Sequence, residues 1–167
     1  MSVAKQSTSN FDEWLQSRMG HGHCLVKIHS NDDMGFVRGV VTGQALVHKH
    51  DNEKTNRFWQ QIRKGDLLHN KTQLRTAIKL LEGLQNGPPD MEKVQALVPE
   101  YRIRVWGKHF LKIFDGNPKE AKYDIYLFEH DGQYYVITAM AAFFGASLWC
   151  RVCEKSYRCG VKHLCIL

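Results

Sequence analysis

Tyr101-Arg102-Ile103-Arg104-Val105-Trp106 sets the reading of the whole chain, because apolar and charged residues alternate there with a period of two. That period fits a pleated strand with one buried face and not a helix. Downstream, Phe110 to Phe114, Asp124 to Phe128 and Gln133 to Thr138 are also strand-like, and His130-Asp131-Gly132 supplies a hairpin turn between the last two. Upstream of Pro99 the period changes. Phe11 to Met19, Phe36 to about His48, Thr55 to Ile62 and Gln73 to Leu84 have helical spacing, with one short extended segment at Cys24 to Ile28. Gly87-Pro88-Pro89-Asp90 breaks the helical run, and Asp90 is placed to N-cap a further short helix over Met91 to Leu97. The later strands lie too close together for helical crossovers. The expectation is an α+β domain with a helical first half and a mainly antiparallel sheet in the second.

At 167 residues the chain is long enough to bury one core without disulfides. A net charge of +6 permits attraction to nucleic acid or another acidic partner, but Lys and Arg are scattered along the chain. No apolar run approaches the roughly 20 residues of a membrane span. Met1 to Asn10 is polar and lacks the apolar core of a signal peptide, so an intracellular site, cytoplasm or nucleus, is expected.

The chain has five cysteines, an odd number, and all but Cys24 lie at or beyond position 150. Such clustering suits a metal better than a disulfide framework. Cys150 and Cys153 offer two thiolates on a tight turn, and His163 and Cys165 can return to complete a tetrahedron, with Cys159 able to replace either of them. A closed Cys3His set leaves no open position, so the expected ion is one structural Zn2+. Trp149, Arg151, Lys155, Tyr157, Arg158 and Lys162 around this knuckle also offer phosphate contacts and base stacking to nucleic acid. His21 and His23 show no third ligand in the sequence and read as exposed side chains.

At Asn31-Asp32-Asp33-Met34-Gly35-Phe36-Val37-Arg38-Gly39-Val40-Val41 a polar turn feeds directly into a helix. Trp59 to Gly65, Gln73 to Leu81, Tyr101 to Val105, Ile113 to Gly116, Ile125 to Phe128 and Gln133-Tyr134-Tyr135-Val136-Ile137 follow, then Phe143-Phe144-Gly145 and the Cys150/Cys153 pair. Together these resemble the OTU-like cysteine protease domain that accompanies family B DNA polymerases of Maverick (Polinton) mobile elements. The resemblance runs from about Val26 to Cys165. It implies a papain-like OTU fold over 21–147, preceded by an N-terminal extension and helix over 1–20 and closed by a zinc knuckle over 148–167. It also favours the His163/Cys165 pair over Cys159.

The same resemblance implies that the usual catalytic chemistry is missing. Gly35 stands where the nucleophilic Cys belongs, Gln133 where the general-base His belongs, and Tyr135 where an acidic or amide residue orients that His. Glycine supplies no nucleophile, and an amide does not titrate. Cys24 and His130 can be weighed as relocated catalysts for an atypical deubiquitinase, but they read better as a small core residue and a polar turn residue. A groove lined by Asp32, Asp33, Met34, Gly35, Phe36, Gln133 and Tyr134 remains. The expected function is therefore a catalytically inactive module that binds ubiquitin, a ubiquitin-like protein or another protein. An accessory domain associated with nucleic acid in a mobile-element replication protein is the alternative.

Overall fold

The computed structural model describes residues 11–18, 24–30, 33–64, 67–82, 84, 90–145, 148–150 and 152–157. The fold is α+β, with the longer helices before residue 100 and most of the sheet after it. The chain divides into two compact units, one of residues 27–136 and one in which 1–26 and 137–167 come together. The segments expected to flank a single domain at either end thus share one unit. No described helix is long and apolar enough to cross a membrane.

The larger unit carries helices α2 (Gly35–Val47), α3 (Glu53–Lys64), α4 (Leu67–Leu81) and α5 (Met91–Leu97). The strands of the main sheet are β1 (Leu25–Lys27), β2 (Tyr101–Trp106), β3 (Lys112–Asp115), β4 (Tyr123–His130) and β5 (Gln133–Ile137), in the order β1-β5-β4-β2-β3. β2 pairs antiparallel with β3, and β4 with β5. The expectation of a mainly antiparallel sheet needs correcting at its centre, because β2 and β4 run parallel in a register from Tyr101↔Tyr123 to Trp106↔Phe128. No α-helix makes that crossover. β3 instead takes the free side of β2, so the chain can return to the other side of β2 pointing the same way. The Asp131 and Gly132 turn, with φ of 50° and 79°, closes the β4–β5 hairpin as anticipated.

Local signals explain the helix starts. Asp90 accepts a hydrogen bond from the Lys93 N–H at 2.8 Å and caps α5. At α3, Asn52 Oδ1 accepts from the Thr55 N–H at 2.9 Å while Thr55 Oγ1 accepts from the Asn52 N–H at 3.1 Å, a reciprocal cap. α3 then turns Trp59 and Ile62, a helical step apart, into the core. The α4 pattern expected from Gln73 begins earlier, at Leu67. Gln73 is buried and donates to Thr42 Oγ1 at 2.6 Å, joining α4 to α2.

α2 packs on the sheet along Gly35, Gly39 and Gly43, which recur every fourth residue and so share one face. A Cβ on Gly43 would lie 2.5 Å from the Ile125 side chain, one on Gly39 3.4 Å from Leu127, and one on Gly35 3.1 Å from Tyr134. The missing side chains let the helix lie close against β4 and β5. At its other end His48 caps the helix, with Nδ1 2.7 Å from Asp51 Oδ2 and Nε2 2.6 Å from the Tyr101 hydroxyl. Its ring meets Tyr123 edge-on, the centroids 4.8 Å apart.

The smaller unit contains helix α1 (residues 11–18), helix α6 (Met140–Phe143) and a ribbon of strands β6 (Leu148–Cys150) and β7 (Lys155–Tyr157). Trp14 meets the fully buried Phe143 edge-on at 5.8 Å, and the Arg18 guanidinium lies over Trp14 at 5.6 Å.

Candidate functional site

α2 begins after a turn at Asp33 and Met34, and its N-cap residue Met34 makes no side-chain capping hydrogen bond. Asp33 is exposed, Met34 and Gly35 are half-buried and Phe36 is buried; Asp32 lies outside the described residues. Residue 35 faces the ring of Tyr134, whose Cδ2 stands 3.1 Å from where a Cβ would be, with Ser30 at 4.0 Å on the other side. Phe36 packs on the same ring, with centroids 5.7 Å apart. Tyr134 is partnered across the hairpin by Glu129. Burial first, and then the Glu129 charge, push the Tyr134 hydroxyl above its ordinary range. It keeps its proton at neutral pH and cannot serve as a base.

Successive residues of β5 point to opposite faces of the sheet. Since Tyr134 faces α2, Gln133 and Tyr135 belong to the other face. Tyr135 contacts Phe128 there at 5.8 Å, and Gln133 pairs with His130. The structure therefore brings Met34, Gly35, Phe36 and Tyr134 together but does not bring Gln133 or Tyr135 to them. If residue 35 had a catalytic partner on β5, position 134 would carry it. Alternation alone could have shown that 133 and 134 face opposite ways, but not which faced the helix. The glycine repeat marks the face of α2 that lies on the sheet.

His130 shares the far face. Its ring is parallel to Phe128, and Nε2 lies 3.1 Å from Asp131 Oδ2. Cys24, in the smaller unit, is buried, and that burial raises its thiol against a smaller lowering effect of the Arg18 charge. A buried thiol held protonated is a poor nucleophile.

The far face also holds a charged network that the sequence reading did not single out. Arg104, only 3% exposed, donates to Asp124 at 2.8 Å and to the Tyr126 hydroxyl at 3.2 Å, and stands 3.7 Å from Asp115. Arg102 and Lys112 reach Asp115 at 2.8 and 2.9 Å. The Asp115 carboxyl is raised by burial, but hydrogen bonds and charge from Lys112 and Arg102 outweigh this and lower it overall. The alternating arginines were visible in the sequence. Their acidic partners were not, because they come from two other strands.

In the smaller unit Cys150 ends β6 and Cys153 lies in the turn before β7. Both side chains are half-buried. The turn is closed by the Glu154 N–H donating to the Cys150 carbonyl at 2.9 Å, with Glu154 in the left-handed region at φ 56°. Phe144 and Trp149 stack beside it, 5.3 Å apart and nearly parallel. A two-thiol turn on a short ribbon suits one half of a tetrahedral thiolate site. His163, Cys165 and the substitute Cys159 lie outside the described residues, as do His21 and His23. Among the described residues no three His, Cys, Asp or Glu side chains gather to hold a metal.

No protein family, curated protein or solved structure matches this chain.

Proposed function

We propose that the chain is a non-catalytic, OTU-like interaction domain that receives an extended segment of a ubiquitin-like or other protein beside the start of α2. Its main support is the contact between Gly35 and Tyr134. The start of α2 lies beside the rings of Tyr134 and Phe36, and position 35 offers neither thiol nor hydroxyl. Such a surface can hold backbone carbonyls and apolar side chains but has no means of splitting a peptide bond. The proposal includes one structural Zn2+ on Cys150, Cys153, His163 and Cys165, supported by the two-thiol turn. When bound, the ion would supply only a cross-link for the tail.

Both parts can be tested on one preparation purified without chelator. Titration of the isotopically labelled chain with ubiquitin to millimolar concentration is expected to move the amide signals of residues 33–36 and 134. Unmoved signals with ubiquitin and with ubiquitin-like proteins would remove the proposed partner class. A ubiquitin-propargyl probe should leave the chain unlabelled, and covalent labelling would make it an enzyme. Metal analysis should find one zinc per chain, and a content well below that would refute the knuckle.

A further inference from the structure

α4 carries Lys71, Arg75 and Lys79 at intervals of four residues, and no Asp or Glu lies between Leu67 and Leu81. Four helical residues advance about 6 Å, so the three cations form a row about 12 Å long on one face. All three are exposed, whereas Gln73 and Ala77 are buried. None of the three has a carboxylate partner among the described residues. Elsewhere in this unit Lys93 of α5 is paired with Asp90, Arg102 of β2 and Lys112 of β3 with Asp115, and Arg104 of β2 with Asp124; other lysines such as Lys27 and Lys119 also lack a carboxylate partner among the described residues, but they stand singly, whereas those of α4 share one face. Unneutralised like charges 6 Å apart repel one another, and an acid at an i±4 position would relieve the repulsion. The row borders a shallow depression of about 540 Å3 lined by Lys71, Leu74, Arg75, Ile78, Lys79 and Glu82. Only its end is acidic, at Glu82.

We infer that this face of α4 binds the phosphate backbone of single-stranded nucleic acid. A strand offers what the row lacks, a regular succession of single negative charges that can follow the depression. Ile78, 50% exposed, supplies an apolar contact for a sugar or base edge. The face has no aromatic residue for base stacking, so recognition is by charge and independent of sequence. A membrane surface fits less well, because Ile78 and the half-buried Leu74 offer too little apolar area for an interfacial helix. The site is separate from the start of α2 and does not depend on the function proposed for it.

Three phosphates neutralised on a single strand give a slope of log K against log salt of about −2, or roughly twentyfold weaker binding from 50 to 200 mM salt. The test is fluorescence anisotropy of a labelled oligothymidylate with the full chain at several salt concentrations. The triple variant K71Q/R75Q/K79Q should bind at least tenfold more weakly at low salt, with a flatter slope. K71R/K79R should bind like the parent, as should the control K27Q/K119Q. Circular dichroism confirms that each variant is folded, which these exposed positions favour. No anisotropy change at 20 mM salt, equal binding by parent and triple variant, or tighter binding to phosphatidylserine vesicles or polyglutamate than to the oligonucleotide would each overturn the inference.

Discussion

Under α2, strand β4 turns Ile125 and Leu127 toward a row of glycines, while the residues alternating with them, Asp124 and Tyr126, meet the guanidinium of Arg104 on the other face. One face is held by shape and the other by charge. An apolar face against glycines tolerates changes of pH and salt but not added volume, because close-packed side chains cannot step aside. A buried guanidinium among carboxylates tolerates little loss of a partner, since the remaining charge has already given up its water. The two faces should therefore fail under different perturbations.

The largest expected effect is on the charged face. Asp124→Ala removes the closest carboxylate from Arg104 and should cost about 3 kcal/mol in denaturant unfolding. The double variant Arg104→Met, Asp124→Leu should recover most of that loss, because it removes both charges. If the double variant is as unstable as the single one, packing and not charge governs this face.

On the apolar face the gaps rank the glycines. Gly43→Ala should destabilise by about 2 kcal/mol, since its Cβ would press on Ile125. Gly39→Ala should be neutral or stabilise by up to about 1 kcal/mol, because its contact is ordinary and alanine favours the helix. Gly35→Ala should fall between them. Equal effects at all three would mean that the helix is not seated as described.

The smallest effect is in pH. Because the Asp115 carboxyl titrates below its ordinary value of 3.8 in the folded chain, its contribution is present above that pH and is lost as the pH falls through the folded value. Asp115→Asn should flatten the stability profile in that acid window and leave the glycine series unchanged. The effect is modest, since the Asp115 side chain is 37% exposed.

The same comparison explains what could be read from the sequence. Alternation in Tyr101 to Trp106, the Asp90 cap and the Asp131-Gly132 turn are local signals, and each appears where expected. The parallel pairing of β2 with β4 is not local. It depends on which side of β2 the returning chain takes, and no residue in either strand encodes that side by itself. The face of β5 that meets α2 is hidden for the same reason. Of Gln133 and Tyr134, both assigned to the groove, only Tyr134 lies beside Gly35, because one position in a strand is a difference of face.

That sensitivity gives weight to the position of the His48 cap. Tyr101 and Tyr123 are opposed at the first step of the parallel ladder, and both touch the one imidazole at the end of α2. Parallel strands distant in sequence form slowly, and a slip of one residue would turn Arg102 toward the glycines. By contacting the first residue of each strand, His48 ties the end of α2 to the point where the ladder begins, so a slipped alignment would forfeit these contacts.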